Sequence, residues 1–135
     1  MGEANGSPAI VLDSAKAPLG THSGPTPMEL VLIALAGCTG MDVISILAKK
    51  RQPFTGMQVL VEGATAEEYP KVYTKIHVEY VVYGAGVDPK AVERAIELSE
   101  STYCPVSAML RRTAEITSSY RIVTEQPLPA MPGDP

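Results

Sequence analysis

The sequence predicts an α+β fold built on one long helix. Three observations predict it. From Leu30 to Met41 no residue is charged, a run too short to span a bilayer and of a length typical of a helix inside a protein core. Two segments further on, Gly56–Thr65 and Val72–Tyr83, alternate apolar and polar residues with the period of a strand. The elements follow the order β, long α, β, β, α, short α, β without internal repeat, which suits helices packed on an antiparallel sheet.

Each element has a local reason. Before the long helix only Ala9 to Leu12 has strand character. Thr26-Pro27-Met28-Glu29 then supplies an N-cap, a proline at the first helical position and a glutamate three residues after the cap, which together form a capping box. Lys49, Lys50 and Arg51 suit the negative end of a helix, and Pro53 stops it, so the helix is expected over 27–51. The two alternating segments are expected to pair antiparallel, Ile76, Val78, Tyr80 and Val82 sharing one face with Val72 and Thr74. Asp88-Pro89 opens a second helix with Val92, Ala95, Ile96, Ser99 and Tyr103 at helical spacing, and Cys104-Pro105 breaks it. A short helix through Val106, Met109 and Leu110 leads to a last strand from Ala114 to Val123. Residues 1–8 and the proline-rich 125–135 are expected to be flexible tails of a single domain spanning 1–135.

The long helix is apolar on every side through three turns, so every side needs a cover. Four strands and one amphipathic helix supply too little, and an obligate homodimer is the expected remedy. Composition narrows the function. Eleven Lys and Arg against fifteen Asp and Glu give a net charge of −4 with no basic cluster, which argues against nucleic acid as a partner. Two cysteines are too few for a stapled secreted scaffold, and the polar, glycine-containing start lacks the pattern of a signal peptide. The cytoplasm, with no membrane attachment, is the expected compartment.

Chemistry rests with the cysteines. Cys38 lies within the long helix between Gly37 and Gly40, residues that weaken a helix and therefore suggest the close approach of another backbone or a ligand. Cys104 falls where the short helix begins, at its N-cap if Pro105 is the first helical residue, a place that favours thiolate. Glu29 is accounted for by the capping box. Asp42 shares a helix face with Cys38, where a carboxylate opposes thiolate formation unless it points to solvent or meets a cation. His22 and His77 with the two cysteines lack the ligand spacing of a metal site. Gly84 and Gly86 lack the third glycine of a dinucleotide fingerprint, and there is neither a nucleophile elbow nor a P-loop.

The stretch from Thr26 through Ala36-Gly37-Cys38-Thr39-Gly40 to Leu47, the Lys50-Arg51-Gln52 that follows, and Tyr103-Cys104-Pro105-Val106-Ser107 resemble the OsmC/Ohr family of osmotically inducible and organic-hydroperoxide-resistance proteins, in its short OsmC-like branch. The resemblance spans about Ala9 to Val123. It implies an OsmC-like fold completed by an intertwined homodimer, and a thiol peroxidase without haem, metal or flavin. By position Cys38 matches the peroxidatic cysteine and Cys104 the resolving one, with an organic hydroperoxide as substrate and a lipoyl-type dithiol as external reductant. The chain also departs from the family. Members pair the reactive cysteine with an Arg from an amino-terminal strand, held by a Glu ten positions before the cysteine. Here that position is Met28, Glu29 is one step off, and no Arg precedes Arg51. Cys38 is therefore expected to be weakly activated unless Lys16, His22, Arg111 or Arg112 takes the missing place. The second function consistent with the fold is a non-catalytic protein binding a small hydrophobic ligand at the dimer interface.

Overall fold

A computed structural model describes residues 1–124, and the tail expected over 125–135 lies outside them. The chain forms two compact units, residues 1–34 and residues from 35 onward.

In the first unit the expected strand at Ala9–Leu12 does not form a ladder. Ile10 makes a single antiparallel bridge to Gly2, and the segment returning from Gly2 turns at once through Asn5 and Gly6, both at positive φ, which leaves no length for further pairing. Asp13 organises the loop that follows. Its carboxylate accepts the backbone N–H groups of Ser14, Thr21 and Ser23 and the hydroxyls of Thr21 and Ser23. The bonds from Ser23, then those from Ser14 and Thr21, hold its pKa well below the ordinary carboxylate range. The capping box is in place. Glu29 N–H donates to Thr26 Oγ1 at 3.2 Å and Thr26 N–H to Glu29 Oε1 at 3.3 Å, which lowers the Glu29 pKa.

Helix α1, Pro27–Lys49, starts at that box. Its length and mean hydropathy of 2.2 match those of a membrane span. Burial within the chain is nevertheless confined to a stripe. Leu35, Thr39, Val43 and Leu47, at intervals of four, are buried together with Gly40. Gly37, Met41, Ile44 and Ala48 are exposed, Met41 to 75%, and these positions also recur at helical spacing. The all-round burial expected of this helix is thus not supplied by the described residues of one copy of the chain, which form a single three-stranded sheet.

The second unit carries that sheet, with strand order β1 (Gly56–Thr65), β2 (Tyr73–Tyr83), β3 (Glu115–Val123). The first two strands pair antiparallel, with Val59 opposite Tyr80. The last pairs parallel with β2, Tyr80 opposite Tyr120, so the expected antiparallel sheet is mixed. Helices α2 (Pro89–Leu98) and α3 (Pro105–Leu110) lie between β2 and β3, and a crossover of that length is what a parallel return requires. Helix α2 begins as expected, with Asp88 capping Lys90 N–H and Pro89 in the first turn. It does not run regularly to Tyr103. Ser99–Tyr103 is a π-helical turn closed by Cys104 N–H on the Ser99 carbonyl at 2.8 Å. The core is largely aliphatic, and of its three tyrosines, Tyr73, Tyr80 and Tyr83, only Tyr80 is completely buried. Val43, Leu47, Val78, Tyr80, Val82, Val92 and Ala95 are all fully buried. Gly84 belongs to a tight crossing, since at φ +149 a side chain there would meet the Pro53 carbonyl oxygen at 2.5 Å.

Candidate functional site

Cys38 is held by the middle of α1, one residue before the buried Thr39 and half-buried itself. The two nearby glycines have different reasons. A Cβ on Gly40 would lie 3.1 Å from Val59 and 3.4 Å from Met57, so the missing side chain lets α1 settle on β1. A Cβ on Gly37 would meet nothing within 4 Å among the described residues, and no close approach is seen there. The expectation of close approach thus holds for one of the pair.

Cys104 occupies the N-cap of α3, as the position of Pro105 suggested, and Ser107 N–H donates to its sulfur at 3.3 Å. The N-cap does not make it a thiolate. Burial, followed by a side-chain hydrogen bond with Cys38, pushes its pKa up to about 11 and outweighs the Ser107 N–H. A helix of six residues offers too few aligned peptides to reverse that. Both cysteines are free thiols, one on α1 and one at the α2–α3 junction, and Cys38 is near enough to contribute to the raised Cys104 pKa.

A polar network runs beside Cys104. Asp42, expected to face solvent or a cation, keeps part of its surface exposed and gains a partner that was not expected. It is half-buried and its Oδ2 accepts the Ser99 hydroxyl at 2.9 Å, which ties α1 to the start of the π turn. The next residue of that turn, Glu100, accepts Tyr80 OH at 3.2 Å through Oε1 and the Ser118 hydroxyl at 3.2 Å through Oε2. Burial in the core is the main reason why the Tyr80 phenol resists ionisation, and the charge of Glu100 adds to it.

Of the candidate cations, Arg111 stands in this network. Its Nη2 is 3.9 Å from Glu100 Oε2, and its Nε donates at 3.2 Å to the hydroxyl of Ser107, whose N–H holds the Cys104 sulfur. Arg112 is exposed. Lys16 and His22 belong to the first unit, as do Met28 and Glu29. Tyr80, Ser99, Glu100 and Ser107 escaped sequence reasoning, because they meet only after β2, the π turn and α3 have packed. The proline after Cys104 and a carboxylate in the turn before it were the available signals.

His77 is elsewhere, its ring nitrogens 2.8 Å from Thr117 Oγ1 and 2.9 Å from Ser119 Oγ. A cavity of about 470 Å³ beside it is lined by ionisable groups, Glu62, Lys75 and Glu115 among them, and by neither cysteine.

A family described as OsmC-like protein matches residues 20–119. Protein YhfA of Escherichia coli strain K12 is 37% identical over 123 residues, which cover 91% of this chain and 89% of that protein. The crystal structure of a hypothetical protein from Aquifex aeolicus VF5 superposes with a TM-score of 0.73 at 37% identity, over 79% of this chain and 80% of that one. The organic hydroperoxide resistance protein OhrB of Bacillus subtilis has the same fold, with a TM-score of 0.56 at 15% identity over 74% of this chain and 73% of that one. The family match extends over the long helix, the first two strands, the start of β3 and both cysteine motifs, and on this ground the chain belongs to the OsmC-like proteins of the OsmC/Ohr family.

Proposed function

We propose that this protein reduces organic hydroperoxides by a dithiol–disulfide cycle between Cys38 and Cys104. The observation that carries the reading is that two free thiols are near neighbours, Cys38 being close enough to raise the pKa of a Cys104 held by Ser99 and Ser107. The name of OhrB, a structural relative, points the same way.

In the cycle the Cys38 sulfur attacks the O–O bond, and the departing alkoxide takes up a proton to leave as an alcohol. Cys38 becomes a sulfenic acid. Cys104 then attacks the Cys38 sulfur. The S–S bond forms, the S–O bond breaks, and the hydroxide leaves as water with the proton Cys104 gives up. Two hydrogens from an external dithiol of the lipoyl type restore both thiols, and the reductant leaves as its own disulfide.

Substrate entry falls to the Cys38 side, which is half-buried where Cys104 is buried. The surroundings there are apolar, Met41 and Ile44 exposed on the same helix, which suits an alkyl chain. The exposed stripe Gly37, Met41, Ile44 and Ala48 is the surface on which a second copy packs, making the working form a cytoplasmic homodimer.

The test is consumption of tert-butyl hydroperoxide in the presence of dihydrolipoamide. Turnover that disappears in Cys38→Ser supports the cycle. No turnover by the wild-type protein at micromolar concentration gives way to the non-catalytic, ligand-binding reading.

A further inference from the structure

Two consecutive residues of the π turn are tied to different elements. Ser99 is fully buried and donates to Asp42 of α1, the helix that carries Cys38. Glu100 receives Tyr80 from β2, Ser118 from β3 and Arg111 from the end of α3, and its side chain is only 15% exposed. Four residues later the same turn delivers Cys104, whose N–H closes it on Ser99. The far side of Cys104 is held too, since Arg111 reaches from Glu100 to Ser107, and Ser107 N–H meets the Cys104 sulfur.

A π turn is rare, occurs mostly as a single turn within an α-helix, and is frequent at functional sites. Here the carboxylate of Glu100 collects bonds that tie the turn to its surroundings. We propose that Glu100 is the positioning residue of the dithiol, fixing the π turn against both the sheet and Arg111 so that Cys104 is presented to Cys38. It touches neither substrate nor sulfur and acts through the backbone of the turn. The inference rests on the dithiol reading of the site and adds to it the residue that sets how readily the disulfide forms.

Preorganisation is measurable without any peroxide. Two thiols held face to face form their disulfide under more reducing conditions than two that must find each other. Replacing the carboxylate by an amide removes the charge that Arg111 meets and one of the two acceptors, and bonds to charged groups are the stronger ones. The protein is equilibrated at graded ratios of oxidised to reduced glutathione, and the Cys38–Cys104 disulfide is quantified by thiol trapping and mass spectrometry. Glu100→Gln is expected to need about a tenfold more oxidising buffer to reach half conversion, the equivalent of one lost charge-assisted hydrogen bond. Glu93→Gln is the control. Glu93 accepts Tyr120 OH at 2.6 Å, a bond of the same kind from α2 to β3 that does not lead to Cys104, and its midpoint is expected to stay within about twofold of wild type.

A wild-type midpoint in Glu100→Gln, or an equal shift in Glu93→Gln, overturns the proposal. Should Glu100→Gln fail to fold, the double variant Tyr80→Phe, Ser118→Ala removes the donors and keeps the carboxylate. It must shift the midpoint in the same direction, and an unshifted midpoint overturns the proposal as well. A wild-type protein that forms no internal disulfide at any ratio brings down the dithiol reading itself, an outcome distinct from a failure of Glu100 alone.

Discussion

Cys104 and Ser99 are joined by a 2.8 Å backbone hydrogen bond across five residues, and this bond places a buried thiol at the start of α3. A regular α-helical turn there would rotate the residues that follow it, and Cys104 would leave the side of the fold on which Cys38 lies. The geometry of the candidate site thus depends on an irregularity held by side chains around it.

The burial that accompanies this position gives a pH dependence. The folded state keeps the Cys104 proton up to about 11, whereas the ordinary value for a free thiol is 9.0. Between those values the folded state binds more protons than the unfolded one, so stability falls as pH rises. The contribution is fully present below about pH 9 and is lost as pH climbs through 11. Urea unfolding of the reduced protein at pH 8, 9.5 and 11 is expected to show this decline, and Cys104→Ser is expected to show less of it. The Tyr80 phenol, shifted in the same direction, leaves a residual slope at the alkaline end of both curves.

Much of the framework was legible because its causes are local. The capping box, the Asp88-Pro89 start of α2 and the role of Pro105 act within a few residues of chain, and each stands where it was expected. What was not legible has physical reasons. The 3.6-residue pattern from Val92 to Tyr103 reads the same whether the last turn is α or π, so the turn that seats Cys104 was invisible. Strand alternation has a period of two in either orientation, which is why the parallel pairing of β3 with β2 could not be read from it. Hydropathy showed that α1 could be covered all round, yet only packing decides that Leu35, Thr39, Val43 and Leu47 are the stripe this chain covers. Both cysteines were recognised, whereas Glu100 lies 20 positions from Tyr80 and 18 from Ser118, and no short motif marks such a meeting.

The two glycines of the cysteine turn should behave oppositely. Gly40→Val forces a branched side chain into the 3.1 Å approach to Val59 and is expected to destabilise the fold by about 1–3 kcal/mol. Within one copy of the chain Gly37→Ala meets open space and improves helix propensity, a gain of about 0.5–1 kcal/mol for the monomer, whereas a loss in the dimer would place the second copy against Gly37. Denaturant midpoints of the two variants check this. A Gly40→Val protein as stable as wild type would contradict the close packing of α1 on β1.

The exposed stripe on α1 makes a prediction about assembly. Met41→Lys and Ile44→Lys place charge on positions that are 75% and 41% exposed in the single chain. They should leave the isolated fold intact and shift a dimer toward monomer by at least about tenfold in dissociation constant, since a buried unpaired charge costs several kcal/mol. Sedimentation at micromolar concentration reads the shift. A wild-type protein that is monomeric there would remove the second copy from the account.

The central claim is that Cys38 and Cys104 act as one redox unit, and counting thiols tests it most directly. Reduced protein is treated with one equivalent of an organic hydroperoxide per chain, residual thiols are trapped, and the adducts are located by mass spectrometry. The account predicts that both thiols of each chain are lost together as a Cys38–Cys104 disulfide, and that Cys104→Ser instead accumulates sulfenic acid on Cys38. Two free thiols after treatment, or oxidation at Cys104 alone, would contradict it.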